Sequence, residues 1–93
     1  SVIRAFKVRK ILAIATSALR DAPNKNIFIN KIKRRLKLNL KVIDGKTEAL
    51  LGGIACANLL KLDKKAITVD IGGGSTEFTI IENRRVLETQ SIN

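Results

Sequence analysis

Asp70, Gly72, Gly73, Gly74, Ser75, Thr76 and Glu77 fall in one short stretch at the end of an apolar, strand-like run, residues 66–70 (AITVD). Three consecutive glycines weaken any strand or helix, so a backbone reason is needed for them. Without Cβ atoms the chain can turn with positive φ and aim several N–H groups at one anion. Ser75 and Thr76 add hydroxyl donors, while Asp70 and Glu77 place a carboxylate at each end of the loop. Carboxylates repel a bare phosphate, so the pattern requires a divalent cation between them and the phosphate. Mg2+ is the expected ion, since it binds through one or two carboxylates together with water and phosphate oxygens. An ordinary glycine-rich hairpin turn is the competing reading, and the order Asp, three Gly, Ser, Thr, Glu is too particular to favour it.

Arg20 and Glu48 are the other side chains of interest. An arginine directly after a buried strand suits bidentate contact with phosphate, although it could equally end a helical turn. Glu48 lies in the first turn of an expected helix, where the helix dipole favours any carboxylate. Two further patterns fail on inspection. Gly45-Lys46-Thr47 resembles the end of a P-loop, but the glycine required five positions earlier is Leu40. Gly72 and Gly74 begin a dinucleotide fingerprint, but Glu77 stands where its third glycine belongs.

Composition narrows the chemistry. The 93 residues include no His, which removes His-dependent triads and imidazole zinc sites. Cys56 is the single cysteine; it lies among Leu, Ile and Ala and is expected to pack as a small hydrophobe. The net charge of +10 is uneven: residues 1–46 carry +11 and the remainder −1. That asymmetry fits a polyanionic partner on the first half, and it also fits a solvated helix surface. No apolar stretch reaches the roughly 18 residues of a membrane span, and no signal-peptide pattern is present, so a soluble, cytoplasmic protein without membrane contact is expected.

The elements that must position these groups follow from periodicity. Residues 2–10 read as the end of a helix. Residues 11–15 (ILAIA) read as a strand buried on both faces of a parallel sheet, after which Thr16 or Ser17 caps a helical turn through Arg20. Asn24 is the expected N-cap of a helix over 25–38, with Phe28, Ile32 and Leu36 as its buried stripe, Ile29 beside them, and Asn30, Lys33, Arg34 and Lys37 opposite. A second strand over 40–43 turns at Asp44-Gly45 into a largely buried helix over 46–60. Gly52 and Gly53 in that helix cost about 1 kcal/mol each relative to Ala, which the close approach of another backbone would explain. Residues 62–65 form a polar connector and a domain boundary. A strand over 66–70 precedes a hairpin, 77–82 paired with 85–89 across Asn83-Arg84, whose apolar face finds no further element to pack on. The order implies an α/β fold with mixed strand pairing. The absence of Met and the uncovered hairpin lead to the expectation of an internal piece of a longer protein.

Residues 15–24 (ATSALRDAPN), 44–49 (DGKTEA) and 69–78 (VDIGGGSTEF) resemble three successive motifs of the exopolyphosphatase and guanosine pentaphosphate phosphohydrolase (Ppx/GppA) family, in order and at the family's spacing. That family belongs to the actin, sugar kinase and Hsp70 superfamily; the third motif alone is shared with Hsp70-like ATPases. The resemblance implies two ribonuclease H-like domains of the actin-like ATPase fold with the active site between them. Residues 1–62 would end the first domain, 63–65 would connect, and 66–93 would supply the first strand, phosphate loop and hairpin of the second. It further implies that Arg20 contacts phosphate, Glu48 activates the attacking water, Asp70 and Glu77 hold the metal, and Gly72, Gly73, Gly74, Ser75 and Thr76 form a phosphate loop. Where the family commonly has Ser-Gly and paired acids, this chain has Asp44-Gly45 and Thr47-Glu48, which puts a second charge at Thr47 in doubt and leaves Glu48 intact. The family's first phosphate loop is absent from these residues.

The expectation is therefore release of terminal phosphate from inorganic polyphosphate, guanosine pentaphosphate or both, by Mg2+-assisted attack of an activated water. The isolated 93 residues are expected to be inactive, and a homodimer of the longer protein is compatible with the resemblance. An ATP-dependent sugar kinase or Hsp70-like ATPase is the alternative. A basic nucleic-acid-binding module is disfavoured by the lack of aromatic stacking residues and of any recognised binding motif.

Overall fold

The computed structural model describes residues 2–93. Its elements run α1 (Val2–Ala5), β1 (Ala13–Ala15), α2 (Ser17–Arg20), α3 (Lys25–Leu36), β2 (Leu40–Val42), α4 (Gly45–Leu59), β3 (Ala66–Ile71), β4 (Thr76–Glu82) and β5 (Arg85–Ile92). Pairing is mixed, as expected: β1 and β2 are parallel, whereas β3, β4 and β5 form an antiparallel sheet in that order.

The first half departs from its expected burial. Leu12 and Ile14 of the β1 run are 81% and 52% exposed, because β1 has only β2 as a sheet neighbour among the described residues and only its other face, that of half-buried Ala13 and Ala15, meets another element, α2. On α3, Phe28 and Leu36 are exposed, and only Lys25, Ile29 and Ile32 are half-buried. That helix also stops earlier than residue 38: Lys37 adopts the left-handed conformation (φ 56°), and its N–H closes on the Lys33 carbonyl, a common way for helices to end. Asn24 does precede the helix, but through its carbonyl, which accepts from the Ile27 and Phe28 N–H groups, and not through its side chain.

The core lies where α4 crosses the antiparallel sheet. Asp44 caps that helix, its Oδ1 accepting from the Thr47 N–H at 2.7 Å. The face turned to the sheet is not the Leu and Ile face. It is a row of small residues four apart: Gly45, Ala49, Gly53 and Ala57. Ala49 and Ala57 are 1% exposed and Gly53 is buried, whereas Leu50, Leu51, Ile54, Leu59 and Leu60 are all exposed. The small row lets the helix axis come close to β4. A Cβ on Gly53 would overlap the Thr79 side chain, and Thr79 Oγ1 donates to the Ala49 carbonyl at 2.9 Å. The close neighbour inferred for the paired glycines is thus a strand side chain and not a backbone, and it concerns Gly53 alone.

Alternation along β4 buries Glu77, Thr79 and Ile81. α4 packs on this face. The apolar face of the hairpin is the opposite one, where half-buried Phe78 and Ile80 pair with the exposed Val69 and Ile67, and it stays open among the described residues, as expected. The hairpin turn is sharp: Asn83 (φ 50°) and Arg84 (φ 63°) both take positive φ, the type I′ geometry that matches strand twist. Arg84 also ties the turn to the connector, through Nε to Asp63 Oδ1 at 2.7 Å and its N–H to the Leu62 carbonyl at 2.9 Å. No helix among the described residues is long and apolar enough to cross a membrane.

Candidate active site

Strand register assembles the carboxylates. Asp70 on β3 pairs directly with Glu77 on β4, and residues paired across antiparallel strands project from the same face. Like charges placed opposite each other are destabilising, so this row has an electrostatic reason to accept a cation. Glu77 is also 3% exposed and makes no ion pair among the described residues. Its one side-chain hydrogen bond comes from Ser91 Oγ to Oε1, at 2.8 Å. A buried carboxylate supported by a single neutral hydroxyl is costly unless a further partner arrives. The hard oxygen donors of Asp70 and Glu77 fit Mg2+. No group of three or more His, Cys, Asp or Glu side chains suited to a metal occurs among the described residues, so a cation here would rest on these two carboxylates, with water and substrate oxygens completing its shell.

Between α4 and the sheet lies a cleft of about 320 Å³, lined by Glu48, Gly52 and Cys56 from the helix and Asp70, Glu77 and Thr79 from the sheet. The cap at Asp44 sets the start of α4 and so places Glu48 in its first turn, on the wall of this cleft. Arg20 reaches the same point from the end of α2. Its Nη1 donates to Glu48 Oε2 at 3.1 Å and to the Ile43 carbonyl at 2.9 Å. Both side chains of the pair are 18% exposed, so the guanidinium is held in place while part of its donor fork stays free.

The glycine loop joins the two halves in an unexpected way. None of its glycines has positive φ, which overturns the conformational reason first given for them. The loop instead closes with the Gly72 N–H donating to the Ser75 carbonyl at 2.9 Å. Gly74 abuts α2: a Cβ there would sit 2.9 Å from Ser17 Oγ. Gly73 has open space around it. Ser75 is 5% exposed, and its buried Oγ has no hydrogen-bond partner among the described residues, leaving it a donor in reserve beside the exposed glycines. Gly72 to Thr76 do not line the cleft itself; they sit at the end of the two strands that do.

Sequence reasoning missed Ser17, Thr79 and Ser91. Ser17 and Thr79 carry no signal beyond their place in a motif and a strand. Ser91 faces Glu77 only because a bulge between Ile80 and Ile81 shifts the β4–β5 register by one; without it Gln90 would stand there.

An α/β arrangement in which a Gly-Gly-Gly-Ser-Thr hairpin ends beside a carboxylate-lined cleft is part of the actin-like ATPase fold. More narrowly, the chain belongs to the Ppx/GppA phosphatase family, whose family model matches residues 1–93. It is 36% identical over 87 residues to the bifunctional 3-dehydroquinate synthase/phosphatase of Fusobacterium nucleatum, covering 91% of this chain and 13% of that protein. It is 40% identical over 73 residues to the guanosine-5'-triphosphate,3'-diphosphate pyrophosphatase of Photobacterium profundum, covering 78% of this chain and 15% of that protein. Among solved structures, the Aquifex aeolicus family member superposes with a TM-score of 0.82 at 36% identity, over 98% of this chain and 30% of that one. An exopolyphosphatase from Cytophaga hutchinsonii gives 0.79 at 31% identity, again over 98% and 30%. The chain thus spans less than a third of the structures and about a seventh of the curated relatives it matches.

Proposed function

We propose that the protein is a phosphohydrolase that releases terminal phosphate from inorganic polyphosphate, guanosine pentaphosphate or both. The observation that carries this reading is the convergence of Glu48, Asp70 and Glu77 on one cleft, with Arg20, 57 positions before Glu77, bonded to Glu48. The relatives named for guanosine-5'-triphosphate,3'-diphosphate and for polyphosphate supply the two substrates.

In this mechanism Arg20 grips the terminal phosphate with the guanidinium donors not used on Glu48 and Ile43. Glu48 has Oε2 committed to Arg20 and Oε1 left to accept a proton from the attacking water. The Ser75 hydroxyl and the exposed loop amides steady the phosphate chain. Asp70 and Glu77 would hold Mg2+, which when bound offsets charge on the phosphate oxygens. The basic surface of residues 1–46 raises the local concentration of polyanion. We assign residues 1–62 to the end of one ribonuclease H-like domain and 66–93 to the start of the next, meeting along α4. We place the protein in the cytoplasm, a reducing compartment that suits an unpaired Cys56.

The test is phosphate release by the full-length protein, with Mg2+ and with chelator, from polyphosphate, guanosine pentaphosphate and ATP plus sugar. Release from either of the first two, abolished by chelator, is expected. Activity on ATP alone would replace this reading with a kinase or ATPase.

A further inference from the structure

We propose that Ser91 is a positioning residue of the site, fixing Glu77 so that one carboxylate oxygen is committed to the protein and the other to a bound divalent cation. The inference rests on the reading of Asp70 and Glu77 as cation ligands. In sheet register the three residues form one row, Asp70–Glu77–Ser91, so Glu77 has a carboxylate on one flank and a hydroxyl on the other. The hydroxyl is its only side-chain hydrogen-bond donor among the described residues, at 2.8 Å to Oε1. Glu77 is almost wholly buried, yet a glutamate has three rotatable bonds, and no other hydrogen bond or ion pair among the described residues restrains its side chain. A hydrogen bond behind a ligating carboxylate selects its orientation before the metal binds.

Ser91 is itself held from behind. A Cβ on Gly45 would overlap its side chain, and the same position lies 3.8 Å from Arg20 Nη2. Gly45 opens the helix whose first turn carries Glu48. Ser91 therefore stands where the metal half of the site, Glu77, meets the water-activating half, Arg20 and Glu48. Its hydroxyl restrains the former, and the space left by Gly45 lets the latter close on it.

The experiment is Mn2+ binding to the full-length protein, followed by electron paramagnetic resonance in the absence of substrate, for wild type, Ser91→Ala, Glu77→Gln and the double variant. Loss of an outer partner of a metal ligand weakens affinity by about 10-fold or more, and Ser91→Ala is expected to show that loss while keeping the wild-type circular dichroism spectrum and melting temperature within a few degrees. Because Ser91 acts through Glu77, the double variant is expected to bind no more weakly than Glu77→Gln. Unchanged Mn2+ affinity in Ser91→Ala, losses that multiply in the double variant, or no Mn2+ binding by the wild type would each overturn the proposal. The readout needs no substrate, so a protein that binds Mn2+ as described but releases no phosphate refutes the proposed activity and leaves this inference standing.

Discussion

Gly52 and Gly53 are neighbours in α4, yet replacing each with Ala is expected to shift stability in opposite directions. Ala is favoured over Gly in a helix interior by about 0.8–1 kcal/mol. At Gly52 the added methyl meets only Asp70 Oδ2, at 3.9 Å, an ordinary contact, so Gly52→Ala should raise the unfolding free energy by about 0.5–1 kcal/mol. At Gly53 the same gain is opposed. The methyl would overlap Thr79, which is 2% exposed and bonded to the Ala49 carbonyl, leaving it nowhere to move. Overpacking of this kind costs about 1–3 kcal/mol, and losing the Thr79 hydrogen bond about 1 kcal/mol more. Set against the helix gain, the net loss is about 1–3 kcal/mol. Equilibrium urea unfolding of the full-length protein, with the slope unchanged, reads both effects as opposite displacements of the midpoint. A Gly53→Ala midpoint equal to or above that of Gly52→Ala would refute the close packing of α4 on β4.

Other perturbations follow from single contacts. Thr79→Val keeps shape but removes the donor to the Ala49 carbonyl, and thermal melts should show a loss of about 1 kcal/mol. Arg20→Lys retains charge but cannot bridge Glu48, the Ile43 carbonyl and a phosphate at once; steady-state kinetics should show KM rising at least as much as kcat falls. Hydrogen bonding from Thr47 holds the Asp44 carboxyl below its ordinary value of 3.8. A carboxylate with a lowered folded pKa contributes stability that is complete above its unfolded value and lost as pH falls through the folded one. Asn at position 44 keeps a cap but cannot titrate, so melting temperatures between about pH 6 and pH 2 should fall less steeply for Asp44→Asn than for wild type.

The chemistry of this chain was easier to read than its packing. The run from Asp70 to Glu77 announces a strand, a turn and a strand, and the antiparallel register between those two residues follows once the hairpin closes. Asp44 and Gly45 likewise mark where α4 begins. The buried face of α4 was hidden because leucines and isoleucines dominate any hydrophobicity pattern, whereas the contact is made by Gly45, Ala49, Gly53 and Ala57. Periodicity marks the faces that favour burial, not whether these residues supply a cover; Phe28, Leu36 and Leu12 remain open. The bulge at Ile80/Ile81 has no local sequence signature, and with it went the pairing of Ser91 and Glu77. Contact between Arg20 and Glu48 joins residues 28 positions apart and depends on β1 and β2 lying side by side, which no local pattern encodes.

The central claim is that these side chains form one phosphohydrolase site with Glu48 as its base. It is tested most directly by comparing phosphate release from polyphosphate and guanosine pentaphosphate by full-length wild type and Glu48→Gln at saturating Mg2+. Gln keeps the size and a hydrogen bond to Arg20 but cannot take a proton, so turnover should fall by about 10²–10⁴-fold with folding intact. Turnover equal to wild type would contradict the account.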